Sequence, residues 1–132
     1  MTTLKEQFAD VPGTYLFTAE HSRKGYHLNM FCMSLIKEEN RKEFLADEAK
    51  YLDKYPLTDE QRRTVLERDW IGMIKAGGNI YFTIKLGATD GKSFQYVAGE
   101  MTGMGQEKYR KMMVDGGRSV EHNRSKSEQE GA

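Results

Sequence analysis

Apolar residues recur along this chain at helical spacing in several stretches, divided by polar runs and glycine pairs. Leu28, Phe31, Cys32, Leu35 and Ile36 follow the i, i+3, i+4, i+7, i+8 order that gathers side chains on one face of a helix. Asn40 then opens a polar run in which Phe44, Leu45, Ala49 and Leu52 keep a compatible spacing, with Tyr51 and Tyr55 nearby. Pro56 opposes continuation past Tyr55, so a second helix is predicted over 40–54. Thr58 and Gln61 stand in capping-box order, and Asp59 and Glu60 suit the positive end of a helix. From there Leu66, Trp70, Met73 and Ile74 share a stripe up to Gly77-Gly78, where a helix can stop, which predicts a third helix. Ser93 can cap a short helix through Ala98. A last amphipathic piece carries Tyr109, Met112 and Met113 and ends at Gly116-Gly117.

One stretch resists this pattern. Ile80, Phe82, Ile84 and Leu86 alternate with Tyr81, Thr83 and Lys85, the period of a strand. Its only candidate partner is the run Thr14 to Thr18, and a lone two-stranded ribbon is marginal in stability. Local pattern leaves the segment open. Beyond Arg118 the chain is polar, with Val120 the only aliphatic side chain larger than alanine, which predicts a flexible tail over 119–132 after a domain over 1–118. The expectation is a single, mainly α domain of several short helices, with glycine-rich loops and flexible termini.

Composition narrows the function classes. The 132 residues carry 20 Lys+Arg against 20 Asp+Glu, a balance without the basic field of a non-specific nucleic-acid binder. No apolar run approaches the roughly 18–20 residues of a bilayer span, and the first residues lack the layout of a signal peptide, so a cytoplasmic protein is expected. The single cysteine, Cys32, excludes an internal disulfide and lies on an apolar helix face where a small buried hydrophobe is the ordinary role. His21, His27 and His122 do not share a spacing that would converge on one metal, so no metal site is expected from this chain alone. The glycine-rich run Gly99 to Gly105 lacks the Gly-Lys-Ser/Thr ending of a phosphate loop. Met30, Met33, Met101, Met104, Met112 and Met113 fit equally as adaptable core filling or as a soft surface for another protein. The block from Ser93 to Met104 mixes aromatics with glycines and suits a rigid wall set against a ligand or partner better than a core helix.

An ordered series of blocks resembles a known family. Val11-Pro12-Gly13-Thr14, Arg23-Lys24-Gly25-Tyr26, Glu39-Asn40-Arg41, Arg68-Asp69, Gly77-Gly78-Asn79, Thr89-Asp90-Gly91-Lys92-Ser93-Phe94-Gln95, Met101-Thr102-Gly103-Met104 and Asp115-Gly116-Gly117-Arg118-Ser119 run collinearly through most of the chain. Together they are similar to the small α subunits of protocatechuate 4,5-dioxygenase-type enzymes, the type II extradiol ring-cleaving dioxygenases. The resemblance implies a helical subunit and so favours helix over strand at 80–86. It implies a large catalytic β subunit holding ferrous iron with two histidines and a glutamate, an α2β2 assembly, and a catecholic aromatic acid as substrate. It places Phe94, with Ser93, Gln95 and Lys92, at the wall or lid of the substrate pocket. Arg23, Lys24, Tyr26, Met101 and Met104 are the expected subunit-interface residues, and no catalytic or metal-binding residue is expected. The alternative is a stand-alone binding or stabilising protein of the same build, without its own catalysis.

Overall fold

The computed structural model describes residues 4–8, 10, 11 and 15–119. Its helices follow one another as α1 (Leu4–Gln7), α2 (Ala19–Lys24), α3 (Tyr26–Ser34), α4 (Glu38–Ala46), α5 (Glu48–Leu52), α6 (Asp59–Leu66), α7 (Trp70–Lys75), α8 (Ile80–Thr89), α9 (Phe94–Thr102) and α10 (Gln106–Val114). No strand occurs among the described residues, and a single helical domain results, as the residue pattern and the resemblance together led us to expect. Of the tail expected over 119–132 only Ser119 is among the described residues; the rest of it, with His122, lies outside them.

α3 supplies the centre. Leu28, Phe31, Cys32 and Leu35 are buried and meet Phe44, Tyr51, Leu52, Val65, Trp70, Met73, Leu86 and Val97 in one cluster. Phe31 lies 5.2 Å from Phe44 and 6.0 Å from Tyr51 in tilted and edge-on contacts, an aromatic geometry that adds to the apolar area buried. Burial pushes the Cys32 thiol up to about 12, so it packs as a neutral hydrophobe rather than a nucleophile. Ile36 turns out to be exposed, as do Leu45, Ala49 and Leu66, because helices this short bury only the innermost part of an apolar stripe.

At one corner two backbones touch. Gly25 joins α2 to α3 and packs on Gly77, which lies at φ +106 after α7; a methyl on either would overlap the other's backbone. The close approach strands several carbonyls from water, and two buried amides take them up. Asn29 Nδ2 donates to Gly77 O (3.2 Å), and Gln61 Nε2 donates to both Lys24 O and Ala76 O (3.0 Å each). Asn29 Oδ1 in turn accepts from Asn79 N–H (2.9 Å), and His21 Nε2 donates to Ile74 O (2.6 Å), which fixes its tautomer and gives this histidine a structural role.

The structure corrects several of the predicted elements and decides the segment left open. The second helix, expected over 40–54, breaks at Asp47, whose extended backbone (φ −160°) ends α4 and whose side chain caps α5 by accepting from Lys50 N–H. The third helix breaks as well: Arg68 takes the left-handed conformation at φ +54 and Asp69 caps α7 by accepting from Gly72 N–H (2.9 Å). The Thr58/Gln61 capping box that opens α6 is formed as read. Residues 80–86, strand-like by local period, are helical because Asn79 caps them, accepting from Tyr81 N–H, and because Thr83, Leu86 and Gly87 form the buried face at i, i+3, i+4. Tyr15 to Thr18 make no strand; Thr14 lies outside the described residues, and Thr18 caps the unpredicted helix α2. The helix from Ser93 runs past Ala98 to Thr102, so Gly99 is a buried helical residue and not a loop glycine. It lets α9 pack on the Gly105 backbone that begins α10.

Two predictions follow from this packing. Gly77→Ala combines a left-handed φ with backbone overlap and should cost about 3 kcal/mol or more in urea unfolding, whereas Gly91→Ala, left-handed but facing open space, should cost about 1–2 kcal/mol. The Asp69 carboxyl is held below its usual range, first by the Gly72 N–H and then by Arg63. A depressed carboxyl stabilises the fold above its unfolded pKa and loses that contribution as pH falls through the folded value. Asp69→Asn keeps a good cap but removes the charge; its melting temperature should fall below wild type near neutrality and converge with it towards about pH 2.

Candidate functional site

The site is built on the turn between α8 and α9. Asp90, Gly91 and Lys92 donate their N–H groups back to Leu86, Ala88 and Gly87 carbonyls at 3.1, 3.0 and 2.9 Å, which closes the end of α8. Ser93 then reverses the chain in an extended conformation, and its Oγ accepts from Tyr96 N–H (3.1 Å) and from Gln106 Nε2 (3.2 Å). One hydroxyl therefore starts α9 and ties it to the start of α10.

With the turn fixed, the first residues of α9 face outwards. Phe94 is 48% exposed although its helix buries Val97, Ala98 and Gly99 on the other side. Its ring meets Tyr109 of α10 edge-on at 6.4 Å. Phe94, Gln95, Tyr109, Arg110, Met113 and Val114 line a groove of about 280 Å³ between the two helices. Lys92 is exposed beside it, its Nζ 4.8 Å from the Tyr96 ring centre. Of the four residues singled out for a pocket wall, Phe94 and Gln95 line this groove, Ser93 is committed to holding the helix starts, and the Lys92 ammonium lies over Tyr96, which does not line it. Sequence reading missed the α10 half of this groove. Tyr109 and Met113 were visible as an i, i+4 pair, but nothing local shows that their helix folds back beside Phe94.

The expected interface residues divide into two groups. Arg23 and Lys24 end α2, and Tyr26 begins α3; all three are exposed. The contacts of this corner run to α6 and α7, with Lys24 Nζ donating to Lys75 O at 3.4 Å and Lys24 O accepting from Gln61. Met101 packs partly buried against the core, and Met104 is half-buried in the α9–α10 connection. Of the six methionines that could fill a core or soften a surface, none is buried, and Met30 and Met113 are exposed.

A second concavity, of about 390 Å³, opens among Lys24, Thr58, Glu60, Arg63, Asp69 and Lys75. Its one guanidinium is already engaged, since Arg63 binds Glu60, Glu67 and Asp69. Among the described residues no group of three histidine, cysteine, aspartate or glutamate side chains could hold a metal ion, and no helix is long and apolar enough to cross a membrane. His21 is used in packing the α2–α7 corner, and Cys32 lies in the core as its place on the apolar face predicted.

The described residues thus form one helical unit with the Phe94 groove open on its surface. The family model for "Aromatic-ring-opening dioxygenase LigAB, LigA subunit" matches residues 28–114, and the chain belongs to that family. It is also 34% identical over 99 residues to a gallate dioxygenase of Pseudomonas putida, a match covering 75% of this chain and 29% of the relative. The chain thus spans less than a third of the length of the curated relative it matches.

The geometry separates rim from core by measurement. Phe94→Ala should change unfolding free energy by less than about 1 kcal/mol, against about 3–5 kcal/mol for Phe44→Ala, which empties a fully buried position. Ser93→Ala, which removes a cap, should cost about 1 kcal/mol despite the exposure of that residue.

Proposed function

We propose that this chain is the small subunit of a cytoplasmic extradiol ring-cleaving dioxygenase, seated over the active site of a large β subunit in an α2β2 assembly. The observation that carries this reading is the exposed Phe94 on a turn closed by four hydrogen bonds, within a chain of the LigA-subunit family. An aromatic side chain held half in solvent by a fixed turn is positioned for something outside the chain.

The reaction adds both atoms of dioxygen to a ring bearing adjacent hydroxyls and opens it to a semialdehyde acid. Following the family resemblance, we assign the ferrous iron to the large subunit. This chain's own residues have three tasks. The Phe94 ring closes the pocket against water and presents an edge or face to the substrate ring, which limits the poses it can take. Gln95 offers a donor and an acceptor at the groove's margin, and the exposed Lys92 ammonium adds a positive charge to the same turn. Ser93 keeps the three in register. Protocatechuate is the substrate we assign first, and gallate, named in the matched relative, is the natural comparison.

Oxygen uptake with protocatechuate and ferrous iron should be measured for this chain, for the large subunit and for the two together. Uptake that appears or rises strongly only in the mixture is the expected result. In the assembled complex Phe94→Ala should lower kcat/KM by about tenfold or more with iron content unchanged. An unaltered kcat/KM would remove Phe94 from the pocket, and an assembled complex inert towards protocatechuate, gallate and other catechols would favour a purely stabilising role.

A further inference from the structure

Resting on that functional reading, we infer that Arg68 is a positioning residue for the Phe94 rim, gripping Asp90 at the root of the α8–α9 turn and thereby setting where Lys92, Ser93 and Phe94 stand against a bound aromatic acid. The contact is a fork. Arg68 Nε and Nη2 donate to the two Asp90 oxygens at 2.7 and 3.0 Å, while Nη1 donates to Glu48 (2.8 Å) and to Val65 O (2.6 Å). The guanidinium lies 5.4 Å from the centre of the buried Phe44 ring, and the Arg68 and Asp90 side chains are only 21% and 19% exposed. Pairs with this bidentate, partly desolvated geometry are the strong ones.

Two locally unfavourable choices meet there. A carboxylate at the C-terminal end of α8 opposes the helix dipole, and the Asp90 side chain is not needed to close the turn, which three backbone hydrogen bonds already do. Arg68 for its part is the one non-glycine among the described residues with a positive φ. Each choice makes sense only through the other. The left-handed backbone after α6 aims the guanidinium across to α8, and the carboxylate receives it three residues before Ser93. The turn is thereby fastened to α5 and α6 by a contact that leaves the exposed rim untouched. Local departures from helix preference that converge on a single contact are characteristic of places where position matters to function.

The test uses variants that spare the backbone. Arg68→Asn suits a left-handed residue but cannot reach Asp90, and Asp90→Asn keeps the shape while losing the charge. Amide hydrogen exchange on the full chain should accelerate about tenfold or more at residues 91–96 in both variants, with α3 amides unchanged. In the reconstituted complex both should raise KM for the aromatic acid or alter preference between protocatechuate and gallate, with iron content unchanged and partial recovery in Arg68→Lys. Acceleration spread equally over α3 would overturn the inference by showing a general brace. So would wild-type kinetics in both variants of an active complex. If the wild-type complex cleaves no ring, the functional reading fails on its own, and Arg68 loses its assigned role even where the exchange pattern shows the turn to be locally fastened.

Discussion

The contact between Gly25 and Gly77 sets the spacing of nearly everything else. Two chain reversals, one between α2 and α3 and one after α7, come together with no side chain between them. That approach removes water from carbonyls at the ends of α2 and α7, and a buried carbonyl without a donor costs about 1–3 kcal/mol. Asn29 and Gln61 supply the donors, each from a helix that also contributes to the core. A polar network that is fully satisfied in this way specifies one arrangement, because any sliding of α3 against α7 would break several bonds together. Gln61 has a double duty, since its side-chain oxygen completes the capping box of α6 while its nitrogen binds the corner. The start of α6 and the α2–α7 junction are therefore set by the same amide.

From that corner the order passes through the core to the opposite elements. α8 lies along α3 and presents Gly87 to Val97 of α9, a separation a larger residue would not permit. α9 stands on α7 and α8 and carries α10 in its turn. The candidate site is at the far end of this sequence of supports. Its exposed groups need no burial of their own because Ser93, Asp90 and the buried face of α9 hold the backbone beneath them. Rigidity is supplied from inside, and chemistry is left on the surface.

Much of this was visible in the order of residues. The apolar face of α3, the capping box at Thr58 and the Ser93 cap of α9 rest on neighbours within a few positions, which a linear pattern records, whereas the pocket-wall reading of Lys92 to Gln95 came from the family resemblance. The breaks at Asp47 and Arg68 were not visible, since Phe44 to Leu52 and Leu66 to Ile74 keep helical spacing across them. What ends those helices is an aspartate that caps the next one and an arginine whose partners lie 20 and 22 positions away. The strand-like run at 80–86 misled for a related reason. Its alternation included Thr83 among the outward residues, yet Thr83 is buried because its helix faces α3, a neighbour more than fifty positions earlier. The resemblance to a helical family corrected that segment where local period could not. The groove beside Phe94 likewise depends on α10 folding back, which Gly99 and Gly105 permit without announcing it.

α10 has no buried residue and packs chiefly on α9, while Met113 and Val114 at its end remain 52% and 74% exposed. Like α2 it is held without a buried residue of its own, and an element held in this way opens at less free energy than unfolding of the core requires. Anything that covers the groove must also hold α10 still. The thermodynamics of assembly then include a folding component: a more negative heat-capacity change than the contact area alone would give, and a favourable enthalpy offset by lost chain entropy. Affinity at this surface is set as much by how well α10 is already formed as by what touches it.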